Sequence, residues 1–409
     1  MSGQSRTINS RRDKDNMSIF FEADNMEKTR KIPLVKPYLP NLKDIEPYLQ
    51  TILESGRLTN FGRYSKLLEE RICEYIGVTY ALCVSNATTG LTLLLNSLPK
   101  GSEVLVPSFT FLPTVQAILW NSLIPVFIDI DDSYTISPQK VKSHISSKTS
   151  AILGVHAFGN PCAIEELENL AKQYGVKLFF DSAHAFGAKY QGKYIGGLGD
   201  AEVFSFSVTK ILPCGEGGAI TTNNVEIYQL ILNRRNYGFT YGSYDCVNRG
   251  LNGKITEFSA ILGLLGIDFD EGGVRRIDTR VNKRNEIASK YLDRLSRLSG
   301  LTFQEVRNNN TSTYKDFTIT IEPQLFGTQK NIVREKLHRK GIETASYFSP
   351  AIHQLTYFQQ HFPTERTNLE YTNRIESGIL SLPIYFDMTD EEFEYVVSTI
   401  EEIYFDSQI

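Results

Sequence analysis

Asp181, Ser205 and Lys210 are the residues whose types and spacing suggest chemistry. An apolar run at 176–180 delivers the carboxylate of Asp181 at its carboxyl end. A second run, 201–207, delivers the hydroxyl of Ser205, and Lys210 follows it. In open α/β sheets, ligands gather at the carboxyl ends of the strands, so one site can hold an acid, a hydroxyl and an amine together. That trio suits pyridoxal 5'-phosphate (PLP). This coenzyme needs an amine for its Schiff base, an anion facing its ring nitrogen and donors for its phosphate.

Each residue also has an ordinary reading. Most lysines are solvated. Asp181 can be the N-cap of a helix that follows a strand. His184, three residues on, can reach the ring hydroxyl of a coenzyme or sit satisfied in the core. Upstream, Ser85, Asn86, Ala87 and Thr88 separate a short strand, 80–84, from the apolar run 91–95. A strand, a small-residue turn and a helix start make an anion site, because free N–H groups and the helix dipole point the same way. A plain N-cap has the same signature. Phe109 and Phe111 are two apart and share a face if extended. One can lie flat on a heteroaromatic ring, or both can pack the core.

The elements that must position these groups read as strand–helix alternation. Strands are expected at 80–84, 103–106, 125–129, 151–155, 176–180 and 219–222, with helices at 45–55, 64–75, 115–120 and 164–174. The alternation predicts an α/β fold with a mostly parallel sheet covered on both faces. Residues 234–250 read as a loop rich in Tyr, Gly and Asn. From about Arg275 the character changes. A charged amphipathic helix at 284–298 leads to a strand at 317–321, a helix at 331–340 and a last helix at 390–404, a smaller α+β lobe. The expected organisation is a polar tail at 1–30, a large domain at 31–275 and a small C-terminal domain at 276–409.

Composition narrows the function class. Charged residues are 22% and hydrophobic residues 41% of the 409, with net charge −4, so nothing asks for nucleic acid or an acidic membrane surface. The five cysteines have no metal-ligand spacing and read as reduced thiols of a cytoplasmic protein. No apolar stretch approaches the ~18 residues of a membrane span. The first thirty residues lack the apolar core of a signal peptide, and the sequon at Asn310 reads as a chance match.

The segments DSAHAFGA, SFSVTK and GEGGAITTN resemble those of the DegT/StrS-type sugar aminotransferases, a branch of the fold type I (aspartate aminotransferase-like) PLP enzymes. The resemblance extends from about 32 to 403 and includes GSEVLVPSFTF, PVFIDIDDSY, VHAFGNPC and SLPIY. LNGKITEF and SYFSPAIH look most like the branch that aminates C4 of dTDP-4-keto-6-deoxyglucose. The resemblance implies a PLP-transferase fold and a homodimer with shared sites. It implies an amino transfer from glutamate to a nucleotide keto-sugar. Lys210 matches the Schiff-base lysine, Asp181 the pyridinium partner and Phe111 the stacked aromatic. His184 matches the residue near the ring hydroxyl, Ala87 and Thr88 the phosphate turn, and Ser205 the phosphate hydroxyl. Asn252 matches an asparagine that reaches the neighbouring subunit's phosphate. Tyr347 and His353 match an aromatic–His pair near the substrate mouth.

The chain departs from the pattern at four places. Ser207 stands where most relatives have His or an aromatic, Gly253-Lys254 where many have Tyr-Arg, Ala87 for a glycine and Arg63 for a proline. Two alternatives remain at this level: a sugar 3-dehydratase, a branch with His in place of Lys210, and a non-catalytic regulatory protein on the same fold.

Overall fold

The computed structural model describes residues 31–240, 242–270, 272–362 and 368–408. The expected tail lies outside them. The apolar runs form β1 (Tyr80–Val84), β2 (Glu103–Pro107), β3 (Ile124–Ile128), β4 (Thr149–Val155) and β5 (Lys177–Asp181). A small hairpin, β6 (Lys189–Tyr190) and β7 (Lys193–Tyr194), precedes β8 (Ala201–Ser205) and β9 (Gly218–Thr222). Seven strands make one sheet in the order β1-β9-β8-β5-β4-β2-β3. The pairs from β8 to β3 are parallel. β9 runs antiparallel to both β8 and β1. The link between β8 and β9 holds no crossover helix, so the chain returns beside β8 in the opposite sense.

Among the described residues, helices precede, alternate with and follow these strands: α1 (Leu42–Ser55), α2 (Arg63–Ile76), α3 (Ala87–Leu95), α4 (Leu112–Trp120), α5 (Pro138–His144), α6 (Ile164–Tyr174), α7 (Val225–Arg234), α8 (Glu257–Ile267) and α9 (Arg276–Leu295). Strand alternation decides which helix each side chain meets. Leu178 and Phe180 join a core with Leu68 and Ile72 of α2 and Leu167 of α6. Phe179 joins the opposite core with Leu94 of α3 and Ile118 of α4. Both faces are therefore apolar, and the strand reads as an unbroken run.

Helix α9 begins two turns before the expected 284. Its inner face carries Arg280 and Arg284 beside Ile277 and Val281, all buried. The guanidinium of Arg280 donates to Ile211 O at 3.0 Å, and that of Arg284 to Tyr314 O at 2.9 Å. Buried arginines disguise an inward face as a charged one, which hides the helix start from the apolar pattern.

The C-terminal lobe holds a three-stranded antiparallel sheet, β10 (Leu301–Phe303), β11 (Phe317–Ile321) and β12 (Ile379–Leu382), in that order. Around it lie α10 (Pro323–Phe326), α11 (Lys330–Arg339), α12 (Thr356–His361), α13 (Glu370–Gly378) and α14 (Asp390–Asp406). Tyr291 and Leu295 of α9 share a core with Ile319, Leu337, Leu380 and Val396. The entry segment belongs here too: Ile32 bridges to Ile342 and is buried in this core. Conversely, Ile352 and Phe358 pack into the core of α3 and α4. The chain thus crosses between the lobes, and the segment 345–362 lies over the carboxyl ends of the large sheet's strands. Among the described residues no helix is long and apolar enough to cross a membrane. The Nδ2 atom of Asn310 is buried, out of reach for glycosylation.

Candidate active site

One cavity of about 300 Å³ opens at the carboxyl ends of the strands. Ala87, Thr88, Phe111, Asp181, His184, Ser205 and Lys210 all line it. With His156 after β4, residues from five separate strand ends converge there because these strands run the same way and end on the same edge.

Asn86 caps α3, its side chain accepting from Thr89 N–H at 2.8 Å. The N–H groups of Ala87 and Thr88 are left without an acceptor among the described residues. The N-cap reading holds, and it does not exclude the anion-site reading: the cap satisfies one donor and leaves two that an anion could use. Strand β9 passes close behind. A Cβ on Gly218 would come within 2.6 Å of Phe204 O and 3.0 Å of Ala87 N. Only glycine permits that approach. Ser205, at the end of β8, adds a hydroxyl at the same edge.

Asp181 ends β5 and is buried. Its Oδ2 accepts from Thr114 Oγ1 at 2.7 Å and its Oδ1 from Ala183 N–H at 3.1 Å. Burial raises its carboxyl above the usual carboxylate range, and the two donors together with Lys210 pull the other way. A cation placed against it would favour the charged form. Lys210 is half-buried, and its amine makes no hydrogen bond or ion pair among the described residues. Burial first, then the charge of Lys315, lowers this amine to about 7. Lys315 is itself buried and paired with Asp316 at 2.9 Å. An amine that is partly neutral at pH 7 is a nucleophile.

His184 takes Phe158 N–H on Nδ1 at 3.2 Å, so its proton sits on Nε2. Burial, with Lys210 and Lys315, pushes its pKa well down, and the ring is a neutral donor. Phe109 is fully buried, in contact edge-on with Tyr134, Phe158 and Phe348. Phe111 is 60% exposed at the start of α4 and is the member of the pair able to stack on a ligand.

Three candidates fall outside the lining. Asn252 is exposed at a bridge to Asn236. His353 is held at both nitrogens, Nδ1 by Ser108 Oγ at 2.7 Å and Nε2 by Asn373 Oδ1 at 2.9 Å. It works as a clamp between the β2–α4 loop and α13. Tyr347 lies beside Lys315, whose amine is 5.5 Å from its ring centre. Its neighbour Phe348 lines the cavity instead. The sequence reading also missed Thr114, His156 and Glu216. Nothing in the local pattern singles out Thr114, since its partner is 67 residues away.

The donor set fits PLP. It offers paired amides and a hydroxyl for a phosphate, a carboxylate for a pyridinium, an aromatic face and a free amine for an aldehyde. The DegT/DnrJ/EryC1/StrS aminotransferase family model matches residues 41–401. A dTDP-4-amino-4,6-dideoxy-D-glucose transaminase of Escherichia coli is 34% identical over 88% of this chain and 95% of that protein. The structure of DesI in the presence of its TDP-sugar product superimposes with a TM-score of 0.83 at 30% identity, covering 91% of this chain and 93% of that one. NtdA of Bacillus subtilis, solved with bound cofactor PMP, gives 0.78 at 25% identity over 92% of this chain and 87% of that one. Family model, relatives and fold agree over most of the sequence, and the chain belongs to the DegT/DnrJ/EryC1/StrS aminotransferase family.

Proposed function

We propose that this aminotransferase carries an amino group from glutamate to C4 of a nucleotide-linked 4-keto-6-deoxy sugar, dTDP-4-keto-6-deoxyglucose. The observation that carries the reading is the pairing of Lys210, an unpartnered amine lowered to about 7, with buried Asp181 across one cavity. PLP would be held by the amides of Ala87 and Thr88, by Ser205, by Phe111 on one face and by His184, with Asn252 supplied by a second copy. When bound, PLP provides an electron-withdrawing ring and an aldehyde that carry nitrogen between two half-reactions.

The chain's own residues have defined tasks. Asp181 holds a proton at the ring nitrogen by opposite charge. The Nζ atom of Lys210 takes the proton released at the α-carbon of glutamate and later delivers one to the sugar carbon. His184, neutral, donates from Nε2 without adding charge. Phe111 and Phe348 shield the reacting carbon from water. The sugar and C4 position rest on the relatives' names and on LNGKITEF. All five cysteines are free, which supports a reducing, cytoplasmic setting.

Glutamate should be tested with a panel of 3-keto and 4-keto nucleotide sugars, with products read by mass. Amination of the dTDP-4-keto-6-deoxy sugar alone is expected, with parallel lines in two-substrate initial-rate plots. Intersecting lines, or amination of only a 3-keto sugar, would refute it.

A further inference from the structure

We propose that Glu202, acting with His156, is a positioning residue that fixes the Asp181 carboxylate and backs it with a buried negative charge. The proposal rests on the PLP reading of the cavity, and goes beyond it to groups that do not touch the coenzyme-facing oxygens.

The geometry is a grip on three consecutive residues. The ring of His156, just after β4, stacks on Phe180 with centroids 4.8 Å apart and planes 18° apart. The backbone N–H of His156 donates to Asp181 O at 3.1 Å. The Oγ of Ser182 donates to Glu202 Oε2 at 2.6 Å. So the residues before, at and after the coenzyme-facing position are each held by this pair. Glu202 and His156 are both fully buried, and His156 lines the cavity.

The pair is fixed in turn. Oε1 of Glu202 accepts Gly196 N–H at 2.7 Å and Leu198 N–H at 3.0 Å. With Ser182 that makes three donors to one carboxylate, which fix its position. Cys162 N–H donates to His156 Nδ1 at 3.0 Å, so the ring proton is on Nε2. Nε2 has no hydrogen-bond partner and lies 3.6 Å from Glu202 Oε2. A buried donor left aimed at a buried anion is costly for mere structure, because an apolar pair would pack at least as well. The groups facing Asp181 are Thr114, the Ala183 amide, Lys210 and His156. Behind it, Glu202 is the acid of the Ser182–Glu202–His156 cluster; burial opposes and Cys162 and Glu202 favour a second proton on His156, and the Cys162 amide N–H seated on Nδ1 leaves no place for it. A negative charge on Glu202 raises the proton affinity of the site that Asp181 forms with a pyridinium nitrogen.

Glu202→Gln removes the charge and keeps the shape, Glu202→Asp keeps the charge, and Ser182→Ala cuts the bond to position 182. Three readings are taken on folded protein: PLP affinity of the apoprotein by equilibrium dialysis, the pH at which the bound coenzyme's absorption band changes, and kcat against KM for glutamate. Glu202→Gln is expected to bind PLP about tenfold more weakly, to shift the spectral transition to lower pH and to lose about thirtyfold in kcat with KM little changed. Glu202→Asp should restore the spectral transition. If Glu202→Gln does not fold, Ser182→Ala is expected to weaken PLP affinity. A wild-type affinity and spectrum in Glu202→Gln, or equal losses in Gln and Asp, overturn the proposal; in the case of misfolding, an unchanged affinity in Ser182→Ala does so. Wild-type apoprotein that fails to take up PLP at all refutes the PLP reading itself, a separate result.

Discussion

Lys210 carries a cost that its chemistry explains. Its amine falls from 10.5 to about 7 in the folded protein, through burial and then Lys315. Between those values the unfolded chain binds more protons than the folded one, so this group's penalty is complete below pH 7 and fades as pH rises towards 10.5. Lys210→Met should therefore raise the melting temperature of the apoprotein at about pH 6 by roughly 2 °C and change it little above about pH 10. The same variant should lose at least about a thousandfold in transamination. Borohydride should fix coenzyme covalently to wild type and not to the variant, read by intact mass. A stabilised, inactive protein is the signature of strain kept for function; a destabilised one would show that the amine is satisfied in the apoprotein.

Coenzyme uptake by PLP-free protein gives a second check at this scale. Capture of the aldehyde needs the neutral amine, so its rate should climb through pH 7 and level off above it. A climb centred instead near 10 would mean that neither burial nor Lys315 acts on the amine as the geometry implies. Lys315→Met, with the neighbouring cation gone, should move the midpoint upward.

At the scale of elements, the contact between β9 and the start of α3 is the tightest constraint on the phosphate end of the cavity. Gly218→Ala would drive a methyl to 2.6 Å from Phe204 O and 3.0 Å from Ala87 N. The strand or the helix must yield, and either motion spoils the aim of the two free amides. Overpacking of this kind costs about 1–3 kcal/mol. Apoprotein melting should drop accordingly, and PLP affinity should fall by about tenfold or more, since each lost charge-assisted bond costs about that much. Equilibrium dialysis and thermal melts together measure it. Unchanged affinity in a destabilised variant would detach β9 from the phosphate site.

The same scale shows what was readable in the sequence. The strands were legible because a buried parallel sheet writes itself as apolar runs, and their ends marked Asp181, Ser205 and the turn before α3. Helix α7 falls between the expected strand at 219–222 and the expected loop at 234–250, where no element is assigned, because only Ile231 and Arg234 of it are buried and it shows no broad apolar stripe. The start of α9 was hidden because Arg280 and Arg284 point inward. Thr114, His156 and Glu202 were invisible for a different reason. Their meaning lies in a contact with a distant residue: Thr114 with Asp181, and Glu202 with Ser182 across the β5–β8 pair. Period and composition report which face a residue occupies, not which partner it finds. Phe348 was missed by one position because the segment around it follows no regular period.

For the whole molecule, the open question is whether each site is complete in one chain. Asn252 lies exposed outside the cavity, and its side chain has no hydrogen bond among the described residues. A polar amide so placed is available to a second copy. In a two-fold dimer an interface residue of one protomer meets the partner's surface and the relation is reciprocal. If Asn252 completes the partner's phosphate site, Asn252→Ala and Lys210→Ala damage opposite members of each shared site. Mixed dimers of the two variants then contain one doubly damaged site and one intact site. Random re-association of equal amounts should return about a quarter of wild-type activity, because half the dimers are mixed and each has one good site. If Asn252 serves its own chain, every functional lysine in the mixture remains beside a damaged phosphate site. Activity then stays at half that of Asn252→Ala alone. The two outcomes separate cleanly when Asn252→Ala is itself below about a tenth of wild type, and dimer formation by both variants is checked by light scattering before mixing.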